Sequence, residues 1–276
     1  MQEALVLYDY AFPKDLIAQH PLTERDHSRM MVVHRAARTW EHQHFYDLPS
    51  FLKSGDVLVM NDALADLIPF GETLVPALPP YIKRKKAEDF TEEDFQRYRS
   101  VYAKTPGSKA APTAGFHFTD SLLEKIKSLG VHIAHVTLHV DYDTYKPIRS
   151  DNILEHPMHG ERYEISEQSA AMVLQAKKEG RRVIAVGTTS VRVLESWAAN
   201  PHFEKGGLGG FTKLYITPGY EFKMVDAMIT NFHRPRSTVL VMVSAFADRE
   251  FILKTYEEAI KEKYRLFSYG DCQLIL

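Results

Sequence analysis

The sequence is poor in the residues that staple a chain or carry it through a membrane. One cysteine, Cys272, stands among 276 residues, which excludes an intrachain disulfide and a cysteine-ligated zinc site. No apolar run reaches the ~18–20 residues that cross a bilayer, so no membrane partner is expected. An excess of one charge is missing too, the net charge being −2 at pH 7. The chain as a whole is therefore no polyanion binder, and nucleic acid would be met by a local basic patch. HExxH, a Walker A ending and GxGxxG are all absent, and with them the signatures of a zincin, a P-loop nucleotidase and a dinucleotide fold. There is no internal repeat and no low-complexity segment. The opening Met1-Gln-Glu-Ala has no secretory leader. With the single cysteine, this sets the expectation of a reducing, cytoplasmic location.

What is present is ordinary globular material. Hydrophobic residues make up 45% and charged residues 25%, enough for a substantial core without staples. Strand-like runs at 30–34, 57–60, 131–140, 182–187, 213–216 and 239–243 alternate with helix-like stretches. The latter lie at 45–52, 88–98, 122–126, 168–178, 191–197 and 251–261. Such alternation predicts an α/β layered domain. Residues 9–25 read as a short helix with turns, and 264–271 as a closing strand and turn. Prolines crowd 63–80, which marks a connector.

Several stretches carry chemistry. Residues 101–119 form a small-residue loop that opens onto a helix, with Thr119 as its N-cap, Asp120 in the first turn and His117 inside the loop. A helix N-terminus of this kind receives polar or anionic ligands; a structural turn with a packed histidine is the alternative. Arg25 and Arg29 flank a polar cluster that can hold an anion or remain a solvated turn. Asn61 lies just past the strand at 57–60, where open α/β sheets place ligands. A buried strand runs into Gly187, followed by Thr188, Thr189 and Ser190 as caps of the next helix, a cradle for phosphate or carboxylate. Lys83 to Lys86 are four consecutive cations, suited to phosphates or to plain solvation. His156 and His159 stand three apart with Pro157 between them, a poor helical ligand pair, and no metal is expected.

Four blocks together resemble the S-adenosylmethionine:tRNA ribosyltransferase-isomerase family of queuosine biosynthesis. They are Leu16-Ile-Ala-Gln19 through Arg25-Asp26-His-Ser-Arg29; Ala110-Ala-Pro-Thr-Ala-Gly-Phe-His-Phe-Thr119; Val186-Gly-Thr-Thr-Ser-Val-Arg192; and Thr230-Asn-Phe-His233 with Ser237-Thr238. Pro79-Pro80-Tyr-Ile-Lys83, residues 98–104 and 215–222, and Phe267-Ser-Tyr-Gly-Asp271 extend the match in the family's order. The resemblance implies a three-layer α/β main domain. It also implies transfer of the ribosyl part of S-adenosylmethionine to a 7-aminomethyl-7-deazaguanine in the tRNA anticodon region, with adenine and methionine leaving. S-adenosylmethionine is then a substrate, and no metal is implied.

The chain departs from the family in three places. The family's inserted β-barrel is largely absent, residues 63–80 being too short for it, so 1–276 is expected to be a single domain. The run after Asn61 lacks the usual basic and proline positions. The usual glycine-rich loop after the strand at 131–140 reads Asp141-Tyr-Asp-Thr-Tyr. These departures leave open a barrel-lacking paralogue that binds RNA or a nucleoside, or acts on a smaller substrate, without this chemistry. Oligomeric state is not legible.

The implied reaction makes physical demands. A base must take a proton beside the sulfonium, and a neutral histidine suits that near pH 7. His117, His139 and His233 each sit in a matching block, with His117 preferred. The sulfonium needs a carboxylate or an aromatic face, for which Asp141, Tyr142 and Asp143 are candidates. Thr230 and Asn231 are placed to meet departing adenine, and Thr113 and Gly115 to line the site. The turn from Gly187 through Thr188 and Thr189 to Ser190 would receive the methionine carboxylate, with Arg192 or Arg25 as partners for carboxylate or phosphate. Arg25–Asp26 and Arg192–Glu195 as structural ion pairs are the alternative.

Overall fold

The computed structural model describes residues 3–141, 144, 146–200 and 208–276. The strands are β1 (Arg29–His34), β2 (Thr39–His44), β3 (Val57–Asn61), β4 (Ala63–Ala65), β5 (Leu67–Phe70), β6 (Thr73–Pro76), β7 (Thr105–Ser108), β8 (His132–Leu138), β9 (Glu161–Ile165), β10 (Val183–Val186), β11 (Gly209–Thr212), β12 (Ala227–Asn231) and β13 (Cys272–Ile275). The α-helices are α1 (Glu92–Arg97), α2 (Asp120–Ser128), α3 (Glu167–Lys178), α4 (Thr188–Ala198), α5 (Thr238–Ala247) and α6 (Arg249–Lys261). Nine strands form one mixed sheet in the order β11-β9-β8-β3-β10-β12-β13-β1-β2. Its centre, β8-β3-β10-β12, is parallel, and β13 runs antiparallel to β12.

The central strands are apolar on both faces, as a covered parallel sheet requires. Val57 and Val59 of β3, with Val183 and Ala185 of β10, pack into one core together with Val173 of α3, Val191 of α4, Val243 of α5 and Ile252 of α6. Their neighbours Leu58, Met60, Ile184 and Val186 point the other way, against Leu122 and Ile126 of α2 and against Phe45 and Leu48 of a 3-10 segment. The period-two alternation thus divides the side chains between two cores and yields three layers, as the resemblance implied.

Three elements differ from the sequence reading. The apolar run 239–243 is not a strand but lies in α5, where Ser237 caps the helix by accepting from Leu240 N at 3.3 Å. A helix buried on nearly every side has no amphipathic period to distinguish it from a core strand. The strand expected at 213–216 lies instead at Gly209–Thr212, at the sheet edge against β9. Residues 9–25 hold no α-helix, but a 3-10 turn at Lys14–Leu16 and the first residue of another at Arg25–His27, because Pro13 and Pro21 confine the intervening chain. The connector at 63–80 carries structure of its own: β4 pairs with β7, and β5–β6 form a hairpin. Among the described residues no helix is long and apolar enough to cross a membrane.

Candidate active site

The parallel strands deliver their C-terminal ends to one region, where a cleft encloses about 830 Å³ including its open mouth. Three segments far apart in sequence wall it: Ala110–Ala114, Gly187–Thr189 and Thr230–Pro235. β10 ends at Gly187, whose φ of +86° suits glycine and turns the chain directly into α4. The expected cap did not materialise, since Gly187 itself is the N-cap and no side chain caps the helix. Thr188 and Thr189 lie in the first turn instead, and the Thr189 hydroxyl is buried without a protein partner. Leading N–H groups of α4 therefore face the cleft unclaimed by a capping side chain. Ser190 is turned away and donates to Val186 O at 2.8 Å.

β12 contributes Thr230 and Asn231. Thr230 Oγ1 sits 2.7 Å from His233 Nε2, and burial pulls the His233 pKa down to about 3. Asn231 Nδ2 donates to Phe267 O at 3.1 Å, and Thr113 Oγ1 donates to Asn231 Oδ1 at 3.5 Å. Phe267 holds a φ of +70°, uncommon outside glycine. Its ring lies 5.1 Å from Tyr81, whose hydroxyl meets Ser268 Oγ at 2.7 Å. Tyr81 and Phe267 both line the cleft and offer the aromatic faces that a cation needs. Neither was singled out from sequence, although each stands in a matching block.

His117 lies behind this wall. It is 4% exposed, and its Nδ1 is 2.6 Å from Ser28 Oγ. That hydroxyl donates its proton to Arg25 O at 3.1 Å, so Nδ1 carries the imidazole proton and Nε2 keeps its lone pair. Burial lowers the His117 pKa to about 4, against the opposing influence of Asn231, and Nε2 is buried without a hydrogen-bond partner. The histidine borders an adjoining small pocket lined also by Arg25, Arg97 and Arg265, which shares Ser268 with the cleft. Arg25 donates to Phe116 O at 3.1 Å rather than to Asp26, and burial followed by repulsion from Arg97 and Arg99 lowers its pKa to about 10.

The cleft thus gathers Thr113, Gly187, Thr188, Thr189, Thr230, Asn231 and His233 from the residues chosen by sequence. Others lie elsewhere. His139 packs beside Gly107. Asn61 is consumed by backbone contacts, accepting from Ala63 N and Leu138 N, each at 3.1 Å. Gly115 makes room for Tyr102, because a Cβ there would lie 2.2 Å from the tyrosine hydroxyl. Arg29 donates to Glu262 O and covers the Tyr264 ring at 3.8 Å. Asp26 accepts from Thr119 Oγ1 at 3.3 Å; with Glu24 and His27 it forms a largely exposed group whose ligand atoms lie within 4.8 Å of one another. Asp141 pairs with Lys109 at 3.0 Å, while Tyr142 and Asp143 fall outside the described residues. Arg192 does not meet Glu195. It pairs with Glu161, and Glu195 accepts instead from the backbone N–H groups of Lys223, Met224 and Val225. Arg84 of the basic run is bound to Asp94 at 2.8 Å, both side chains buried, which leaves Lys83, Lys85 and Lys86 as the exposed cations of that run.

Comparison with known proteins adds two findings. The profile of a family described as queuosine biosynthesis protein matches residues 5–69 and 66–275, two segments that meet at the connector. A crystal structure of S-adenosylmethionine tRNA ribosyltransferase from Thermotoga maritima is similar over 98% of this chain and 100% of its own, with 31% identity and a TM-score of 0.70.

Proposed function

Since the chain belongs to the queuosine biosynthesis protein family, we propose that it transfers the ribosyl part of S-adenosylmethionine to a 7-aminomethyl-7-deazaguanine base in tRNA and rearranges it to the epoxy-cyclopentane of epoxyqueuosine. Adenine and methionine leave. One observation carries the reading: the segments containing Thr113, Gly187–Thr189 and Thr230–His233 converge on a single cleft. The Thermotoga maritima protein that this chain resembles is named for S-adenosylmethionine and tRNA.

S-adenosylmethionine brings a sulfonium that acidifies the adjacent ribose carbon and an adenine that can depart. The chain's own groups do the rest. His233 is the candidate histidine on the cleft wall, and we place the proton-abstracting role there. His117, preferred from sequence, stands one layer back and acts through Asn231 as a positioning residue. A neutral imidazole can take a proton, and depressed pKa values keep both rings neutral at neutral pH. Tyr81 and Phe267 present ring faces to positive charge. Burial raises the Tyr81 pKa to about 12, so its hydroxyl remains a donor. Thr230 and Asn231 offer hydrogen bonds to the departing base. The exposed lysines 83, 85 and 86 suit the tRNA backbone.

A second reading, a paralogue that binds RNA or a nucleoside without this chemistry, is favoured by the break in the family match at 66–69 and by the small hairpin there. Incubation with S-adenosylmethionine and tRNA carrying the 7-aminomethyl base separates the two. Adenine release supports the transferase. RNA binding by folded protein with S-adenosylmethionine unchanged supports the paralogue.

A further inference from the structure

Beside the cleft lies a second, narrower cavity, which shares Val140, Thr144, Thr188, Thr189 and Val239 with it. Most of its wall is apolar: Leu138, Met158, Leu214, Ile216, Val239 and Met242. Its polar part is a buried pair. Arg192 is 5% and Glu161 2% exposed, and Arg192 Nη1 donates to Glu161 Oε2. Glu161 is otherwise well supplied, its Oε1 receiving Asp141 N at 3.0 Å and lying 3.2 Å from His159 Nε2.

The other edge of the guanidinium is not supplied. Arg192 Nε and Nη2 are both buried without a protein partner, as are the hydroxyls of Thr189 and Tyr215 on the same cavity wall. An unpaired buried donor costs folding free energy, more so when charged. Nε–H and Nη2–H point the same way from the planar group and are spaced to meet the two oxygens of one carboxylate. Glu161 already balances the arginine charge, so the site suits a zwitterion better than a phosphate dianion. Apolar walls with two methionines suit an unbranched thioether chain.

Resting on the reading of the cleft as an S-adenosylmethionine site, we propose that this side cavity holds the methionine arm, with the free Arg192 edge binding its α-carboxylate. The first turn of α4 then flanks the arm rather than ending it. Only hydrogen bonds and ion pairs form; no bond breaks in this cavity.

Calorimetry on the wild-type protein with S-adenosylmethionine, its decarboxylated analogue, 5′-methylthioadenosine and L-methionine tests this. S-adenosylmethionine should bind about 10- to 100-fold more tightly than the decarboxylated analogue, the effect of hydrogen bonds to a buried charge. In Arg192→Met that ratio should fall towards one while 5′-methylthioadenosine binding is retained. Equal affinities on the wild type, or a ratio that survives in the variant, overturn the proposal. The wild-type ratio decides alone if the variant does not fold. Failure of every adenosyl ligand to bind, with L-methionine bound and lost in Arg192→Met, removes the cleft reading but keeps the amino-acid site. No binding of any of the four removes both.

Discussion

Acid should weaken this fold through His117, and replacing that histidine should remove its share of the loss. The ring is 4% exposed, packs 5.0 Å from Phe45 and is held by Ser28. Burial lowers its pKa from 6.5 to about 4, partly offset by Asn231 and reinforced by Arg25 and Arg265. Between those two pKa values the unfolded chain binds the proton and the folded chain does not. Stability is therefore flat above the unfolded value and falls as the pH drops through the window. One pKa unit corresponds to about 1.4 kcal/mol, so bringing the protein from pH 7.5 to pH 5 costs about 2 kcal/mol through this residue alone. His117→Gln cannot titrate. It should be less stable than wild type at pH 7.5 by about 1–2 kcal/mol for the lost Ser28 bond and altered packing, and that gap should close by about 2 kcal/mol at pH 5. Urea unfolding at a series of pH values, with m unchanged, reads this directly. Parallel loss of stability in variant and wild type would refute the assignment of a buried neutral imidazole. His233 titrates in both proteins and cancels from the difference.

Three further outcomes are expected. His233→Gln should lower the single-turnover rate of adenine release by about 100-fold or more, the usual contribution of a general base, with S-adenosylmethionine affinity within a few-fold of wild type by calorimetry. Gly187→Ala places a Cβ 3.4 Å from that of Ala114 at a φ of +86°; it should cost about 1–2 kcal/mol, read as a lower Tm, and weaken ligand binding by displacing the 110–114 wall. Charge reversal at Lys85 and Lys86 should weaken tRNA binding and flatten its salt dependence, measured by filter binding at several ionic strengths, whereas Arg84→Gln should act mainly on stability because it strips Asp94 of its buried partner.

Local signals in the sequence proved sound where the physics is local. Thr119 caps α2 by accepting from Leu122 N at 3.1 Å, and Gly180, at φ +68°, follows the end of α3. Strands β3 and β10 were legible from short apolar runs between turns. The run in α5 was not, because full burial erases the helical period. Side-chain partners set by the tertiary fold were also hidden. Arg192 finds Glu161 on β9 instead of Glu195 three residues along its own helix, and Asn61 spends its amide on β8. Convergence of the 110–114, 187–189 and 230–235 segments is a product of sheet order, which no local pattern encodes. Tyr81 and Phe267 lie 186 positions apart in sequence, and only their common ladder of contacts beside Ser268 brings their rings to 5.1 Å.

The most direct test of the central claim follows the ribosyl group. S-adenosylmethionine labelled in its ribose is mixed with this protein and tRNA bearing the 7-aminomethyl-7-deazaguanine base, and label in the tRNA is counted against free adenine. The account predicts equal amounts of the two, with both abolished when the tRNA carries unmodified guanine instead. Adenine released without label in the RNA, or neither product from a folded protein that binds both substrates, would contradict it.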